Sequence, residues 1–429
     1  MMSILQKGGS AKDGVLAPIE KGEMRMSSMD RRGFLEATGT GLLSLPAARA
    51  GAAENAEDPL GVRADFPITR NMTFLNSAYI GPVSTVVSDA AVDYAREKLL
   101  WADSRGGLEN KEKARARCAE LFGAKPEEVA LLYSTSDGEN IVTRGLDFQA
   151  GHNVVVDELH FTTSFVLYRQ LEEERGIELR IVPERGGRTR IEDFEARVDG
   201  RTRLLSVAWV SNRNGFRHDL RALAELAHAK GAFLYADAVQ ALGTFPTSLR
   251  EEGVDFLTTG AYKWLFASFG VAPLFIREEH LERIPPDRYG HAQVAEDLPE
   301  HRFRLRTTAQ KYEYASLAFS SVAQLDAALG YLKKVGLSRI EAHAAGLSRE
   351  LREGIAKLGF EIRTPEGNRS PIMSFVHGQD PERLKRLLKE EAVEVTLRGE
   401  NDSEMRASIS MFNNRADVLR LLNLLENIV

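Results

Sequence analysis

Lys263 is the residue in this sequence best placed for chemistry. It follows an apolar, β-prone run ending at Leu257 and stands between Tyr262 and Trp264 rather than among charges. A lysine held between aromatics behind a buried strand is partly desolvated, which disfavours the ammonium and frees the amine as a nucleophile or base. The plainer alternative is a lysine that lays its stem on apolar neighbours and keeps its head in water. Upstream, Ala232-Phe-Leu-Tyr-Ala-Asp237 is an apolar strand that ends in a carboxylate. If both strands belong to one sheet, Asp237 and Lys263 emerge at the same edge. A carboxylate removed from water needs a cationic partner, so the two residues read either as the poles of a catalytic site or as an internal salt bridge.

Such positions require a frame. Val129 to Tyr133, Asn153 to Val156, Glu178 to Val182, Arg203 to Val210, Ala232 to Tyr235, Val254 to Thr258 and Val271 to Ile276 are short apolar runs. Helical spacing between them marks helices from about Asp137, over Thr163 to Arg175 and over Leu220 to Lys230. Continuous apolar strands alternating with amphipathic helices predict an α/β fold with a mostly parallel sheet covered on both faces. Ligands bind such sheets at the carboxyl ends of the strands. Before this region, Met72 to Pro82 reads as a short strand running into a Gly-Pro stop, followed by helical runs over Ser84 to Trp101 and Lys111 to Phe122. Beyond about residue 318 two long helical runs lead into the strand-like runs Phe360 to Thr364, Ile372 to Val376, Val393 to Leu397 and Arg406 to Ser410, a smaller α+β unit. The predicted organisation is an N-terminal extension over 1–50, a connecting segment over 51–95, a large domain over 96–317 and a small C-terminal domain over 318–429.

With 429 residues, 43% hydrophobic and 28% charged, the chain has material for a large core and more than one domain. A net charge of −6 gives no support for a nucleic-acid partner. The basic alternation His301 to Arg306 reads as a solvated strand or loop, or as a contact for an anionic substrate. The single cysteine, Cys118, excludes an intrachain disulfide and a cysteine-rich metal site, and no metal is expected. No apolar run reaches the roughly 20 residues of a membrane-spanning helix. Near the N-terminus, Met29-Asp-Arg-Arg-Gly-Phe-Leu35, a weakly apolar run over Ala37 to Leu45 and then Ala48-Arg-Ala50 resemble a twin-arginine (Tat) export signal. This predicts a periplasmic protein carried by the Tat machinery; a disordered tail on a cytoplasmic protein is the alternative.

A lysine to form a Schiff base and an acid to keep a ring nitrogen protonated are together what pyridoxal 5'-phosphate (PLP) requires. Tyr235-Ala-Asp-Ala-Val-Gln240 and Thr258-Thr-Gly-Ala-Tyr-Lys-Trp-Leu265 resemble the signature of class V aminotransferases. These are fold-type I PLP-dependent enzymes and include cysteine desulfurases, selenocysteine lyases, kynureninases and isopenicillin N epimerases. The resemblance runs from about Phe74 to the C-terminus. It implies that Lys263 bonds the cofactor and moves the substrate proton, that Asp237 holds the pyridinium nitrogen and that Gln240 contacts the ring oxygen. Ser134 to Asn140 follows a strand and opens a helix, and resembles the family's phosphate-binding turn. Thr135 and Ser136 would there join the helix N–H groups, while the bland reading is a plain N-cap by Ser136 or Asp137. By the same resemblance Tyr262 contacts the phosphate, and Phe161, or else His160, lies against the ring face. Asn212 reaches the cofactor or the substrate carboxylate, although Asn212 to Gly215 is also a good turn sequence. Glu404 to Asn413 resembles the substrate-binding strand, with Arg406 gripping the α-carboxylate of an amino-acid substrate. Ser316 stands where relatives place a threonine on a neighbouring subunit's phosphate, which implies a homodimer.

The resemblance also narrows by what is missing. Desulfurases carry a cysteine on the loop before the carboxylate-binding strand, and this chain has Thr396-Leu-Arg-Gly-Glu-Asn401 there. That argues against a persulfide on the protein. Transamination is put first, with carbon–sulfur lyase or epimerase chemistry second, since all share removal of the α-proton. A non-enzymatic α/β binding protein with an Asp237–Lys263 salt bridge is the reading from another class; no Gly-x-Gly-x-x-Gly turn follows a predicted strand to favour a dinucleotide.

Overall fold

The computed structural model describes residues 58–101 and 105–428. The twin-arginine run, with Arg31 and Arg32, and the whole of the 1–50 extension lie outside the described residues. Strand β1 (Thr73–Phe74) precedes helices α1 (Thr85–Trp101) and α2 (Arg105–Phe122). An alternating stretch follows: β2 (Val129–Leu132), α3 (Thr135–Gly145), β3 (Asn153–Asp157), α4 (Thr162–Arg175), β4 (Glu178–Val182), the short α5 (Ile191–Glu195), β5 (Thr202–Ala208), α6 (Leu220–Ala229), β6 (Phe233–Asp237), β7 (Phe256–Thr258) and β8 (Ala272–Ile276). A hairpin of β9 (Val294–Leu298) and β10 (Arg302–Leu305) leads to the long α7 (Phe319–Val335) and α8 (Leu337–Lys357). The chain closes with β11 (Glu361–Ile362), β12 (Ile372–Val376), α9 (Pro381–Glu390), β13 (Val393–Glu394), β14 (Thr396–Arg398), β15 (Glu404–Ser408) and α10 (Arg415–Glu426).

The large sheet has seven strands in the order β2-β8-β7-β6-β5-β3-β4. Its pairs from β7 to β4 are parallel, and β8 runs antiparallel to both neighbours. The exception follows from the connection: no helix separates β7 from β8, and without a crossover the chain can only return antiparallel. Every residue of β2, β3, β7 and β8 is buried, as expected of strands covered on both faces. The predicted α/β architecture with a mostly parallel sheet is thus the observed one.

Caps set where the helices begin. Ser134 accepts from the Asp137 amide at 3.2 Å and Asp137 returns the bond to the Ser134 amide at 3.1 Å, a reciprocal cap that starts α3. The cap expected at Ser136 or Asp137 therefore sits at Ser134, which leaves the hydroxyls of Thr135 and Ser136 free of capping. Gly138 explains how closely α3 lies on the sheet: a Cβ there would come within 2.2 Å of the Thr258 methyl.

The smaller sheet is antiparallel, in the order β11-β12-β15-β14. The run over Val393 to Leu397, predicted as one strand, divides between two sheets. β13 pairs in parallel with β1, whereas β14 pairs with β15. The cause is the N-terminal segment: Thr73 and Leu75 donate to Ala392 and Glu394, and Ser408 donates back to Leu75, so residues 73–76 wedge between β13 and β15. The basic alternation His301 to Arg306, expected as a solvated strand or loop, holds β10 of the exposed β9–β10 hairpin. Among the described residues no helix is long and apolar enough to cross a membrane.

Candidate active site

The carboxyl ends of β2, β3, β5, β6 and β7, joined by the start of β8, form one edge of the sheet, and a cleft of about 250 Å³ opens there. Each strand end delivers part of its wall. Thr135 and Ser136 come from the β2 end, Phe161 from beyond β3, Asn212 from beyond β5, Asp237 and Gln240 from β6, and Tyr262 and Lys263 from the turn after β7. The β6–β7 register sets Asp237 beside Thr258, which aims the carboxylate and the lysine loop at the same space.

Lys263 is only 8% exposed. Its Nζ lies 5.9 Å from the Phe161 ring centre and 5.6 Å from that of Tyr262. Among the described residues no carboxylate lies within the 4.0 Å of an ion pair, so Asp237 and Lys263 form no internal salt bridge. Burial pushes the amine down from its ordinary range to about 8, with the Asp237 charge opposing that fall and Arg406 adding to it. A neutral amine is therefore within easy reach near physiological pH. Asp237 accepts from the Val239 amide at 2.9 Å through one oxygen, and no protein donor takes the other among the described residues.

The lysine turn is locked from behind. Gly81 donates to the Tyr262 carbonyl at 2.9 Å, and a Cβ at position 81 would stand 1.9 Å from the Lys263 carbonyl oxygen, so only glycine fits. Trp264 points away from the cleft and donates to Gln240 Oε1 at 2.7 Å. Gln240 Nε2 donates to the Ala78 carbonyl at 2.9 Å, which leaves that amide one further hydrogen to offer. Tyr262 stacks on Phe269 with ring centres 4.1 Å apart.

Three named candidates stand outside this wall. His160 is buried behind Phe161: its Nδ1 accepts from the Phe161 amide at 2.7 Å and its Nε2 lies 3.0 Å from Ser206 Oγ. With both nitrogens engaged and 1% exposure, its ring has no face to offer; Phe161, 42% exposed, has one. Ser316 is exposed and away from the cleft, its carbonyl accepting from the Tyr133 hydroxyl. Arg406 on β15 is likewise not part of the lining and meets the cleft through Asn212, which is. It donates to the Asn212 carbonyl at 2.7 Å and to Thr396 Oγ1 at 3.1 Å, while its Nε is buried without a partner. Burial, with the nearby Arg398 charge, pushes its guanidinium down to about 9.

Glu139 was missed by sequence reasoning. It lines the cleft floor at 4% exposure, accepts from Ser164 Oγ at 3.0 Å and keeps Oε1 without a donor. Burial, reinforced by the Asp237 charge, pushes its carboxyl up to about 7. The available signal was a carboxylate on the buried face of α3, beside Gly138, Ile141 and Val142.

A family model described as "Aminotransferase class-V" matches residues 106–421. The chain belongs to the class V aminotransferase family. Like other members, this class V enzyme depends on PLP, and the donors above fit that cofactor: a desolvated amine, a carboxylate with a free oxygen, and two hydroxyls at a helix N-terminus. A probable cysteine desulfurase of Methanothermobacter thermautotrophicus is 27% identical over 390 residues, covering 86% of this chain and 97% of that protein. The solved apo structure of a cysteine desulfurase from Thermococcus onnurineus NA1 superposes with a TM-score of 0.79 at 23% identity, covering 87% of this chain and 98% of that one. A cystine C-S lyase, C-DES, solved with its product cysteine persulfide, gives 0.78 at 19% identity over 85% of this chain and 99% of the other. These structures share the fold-type I architecture.

Proposed function

We propose that this class V enzyme is a carbon–sulfur lyase that acts on a sulfur-bearing amino acid by β-elimination, in preference to the transamination put first from sequence. The names of its relatives support sulfur chemistry, and Cys118 decides how the sulfur leaves. That cysteine is fully buried in the core beneath α2, its thiol pushed far up by burial. No thiol reaches the cleft to hold a persulfide, so sulfur departs on a small molecule.

The proposed roles follow from position. Thr135, Ser136, the first amides of α3 and the Tyr262 hydroxyl hold the phosphate. Asp237 keeps the proton on the ring nitrogen, Gln240 offers its remaining hydrogen to the ring oxygen, and Phe161 covers the ring face. Arg406 and Asn212 take the substrate α-carboxylate. Lys263, which would hold the cofactor, is placed to take the α-proton as a neutral amine. PLP, when bound, draws off the electron pair left at the α-carbon. The Cβ–S bond breaks, the sulfur leaves with a proton, and water completes the products as thiol, pyruvate and ammonium, with no oxidant or reductant consumed.

Incubating the holoenzyme with cysteine, cystine and alanine tests the reading. Pyruvate together with ammonium from the sulfur amino acids is expected. A keto acid of unchanged skeleton with no ammonium would assign transamination, and an inverted enantiomer would assign epimerisation. Two further expectations join this reading as proposals. The twin arginine supports export, checked by loss of periplasmic enzyme in an Arg31→Lys, Arg32→Lys variant. Ser316, exposed and outside its own cleft, fits a place in a second subunit's site, checked by molar mass in solution.

A further inference from the structure

Beside Asn212, at the margin of the cleft, stands more positive charge than an α-carboxylate requires. Arg398 on β14 donates to the Asn212 carbonyl at 2.7 Å and to the Arg213 carbonyl at 3.2 Å. Arg406 donates to the same Asn212 oxygen, also at 2.7 Å. Two guanidinium groups thus meet at one neutral oxygen, and the exposed Arg213 lies close enough to add to their mutual repulsion. The β14–β15 register explains the crowding: Thr396 faces Arg406 and Arg398 faces Glu404. Glu404, the one acid of that strand pair, attracts Arg398 from beyond ion-pair distance but bonds Arg363 at 3.3 Å. Neither Arg398 nor Arg406 has a carboxylate within ion-pair distance among the described residues, and both are pushed down from the usual arginine range by burial.

Like charges brought together out of water cost stability unless an anion completes them. The cofactor phosphate is too distant to be that anion. Its proposed holders Thr135, Ser136 and Tyr262 come from the ends of β2 and β7, two to four inter-strand steps from β5 in the sheet, roughly 10–19 Å at about 4.8 Å per step. One substrate carboxylate satisfies one bidentate fork. A second acid group is needed for the other, only a few bonds from the first because the two forks converge.

We propose that Arg398 is a specificity-determining residue, and that the substrate is an amino acid whose departing sulfur substituent itself carries an acid group. The α-carboxylate goes to Arg406 and the distal acid to Arg398, with Arg213 at the rim. The inference rests on the lyase reading and names its substrate class. The elimination is unchanged in balance: the thiol released retains the acid.

S-carboxymethyl-L-cysteine and S-carbamoylmethyl-L-cysteine differ in charge and hardly in shape. Titrating each into the holoenzyme while following the cofactor absorption band gives a Kd for each, and pyruvate release gives turnover. The acid is expected to bind tighter than the amide by about tenfold or more. Arg398→Gln should bring the ratio towards one, whereas Arg398→Lys, which keeps the charge and loses the fork, should leave an intermediate ratio. A wild-type ratio near one overturns the proposal without any variant, as does a ratio unmoved by Arg398→Gln. If both compounds shift the band equally, only this inference fails. If neither they nor cysteine shifts it, the sulfur amino-acid reading fails as well.

Discussion

Two groups of buried cations in this molecule have opposite fates. On α2, Arg115 is 1% exposed and grips Glu313 through both of its carboxylate oxygens, while Lys111 bonds the same acid at 2.5 Å. Glu313 also accepts from the Leu131 amide at 2.8 Å, which ties the cluster to β2. Burial pulls the Arg115 guanidinium down, but the charges and hydrogen bonds of Glu313 and Glu112 together hold it above its ordinary range. In and beside the cleft, Lys263 and Arg406 are buried almost as deeply, yet burial pushes both down: neither has an acid in ion-pair contact among the described residues, and the Asp237 charge only partly opposes the fall at Lys263. Burial alone does not distinguish the two groups; the presence of a counter-charge does. Where the fold supplies the anion the cation holds structure, and where it does not, the ligand must bring one.

That contrast is sharpest at Lys263. Lys263→Ala should lower turnover by about 10⁴-fold or more, since covalent attachment and proton transfer go together. Steady-state kinetics and loss of the borohydride-reducible visible band check it, and activity within tenfold of wild type would show that another group is the base. On the structural side, Glu313→Ala leaves Lys111 without its acid and Arg115 with only the more exposed Glu112, and should cost about 3–5 kcal/mol in urea unfolding. A loss below about 1 kcal/mol would place that cluster with the surface pairs and break the comparison.

Glu139 supplies the mirror case, a buried acid without a cation, and the smallest effect. Its carboxyl is raised from the ordinary 4.5 to about 7. Below pH 4.5 folded and unfolded chains both keep the proton. Between the two values the unfolded chain releases it first, so stability falls as pH rises, and above about 7 the deficit is constant. Glu139→Gln should therefore melt higher than wild type at pH 8, by on the order of 1–2 kcal/mol, and show no gain at pH 4. An equal gain at both pH values would mean that packing, and not charge, is responsible.

Much of this was legible in the sequence because period and punctuation carried it. Apolar runs between helical spacings specify a parallel sheet whatever the details, and the runs ending at Asp237 and before Lys263 lead to one edge. What escaped was anything set by register or by crossing chain. Arg398 reads as a loop residue until β14 is laid against β15, and His160 and Phe161 are neighbours whose opposite directions only the turn after β3 decides. The run Val393 to Leu397 carries no mark of its division, because the partner that divides it lies at the other end of the chain.

That partner sets the timing of assembly. Residues 73–81 brace both β13 and the lysine turn through Thr73, Leu75, Ala78 and Gly81, yet β13 is synthesised after nearly everything else. At roughly 5–20 residues per second, a ribosome needs tens of seconds to make the chain between them. Throughout that interval the early strand has no mate and Asn212 lacks its arginine partners. The substrate end of the site is consequently completed last, when the finished C-terminus closes over a segment that has waited for it.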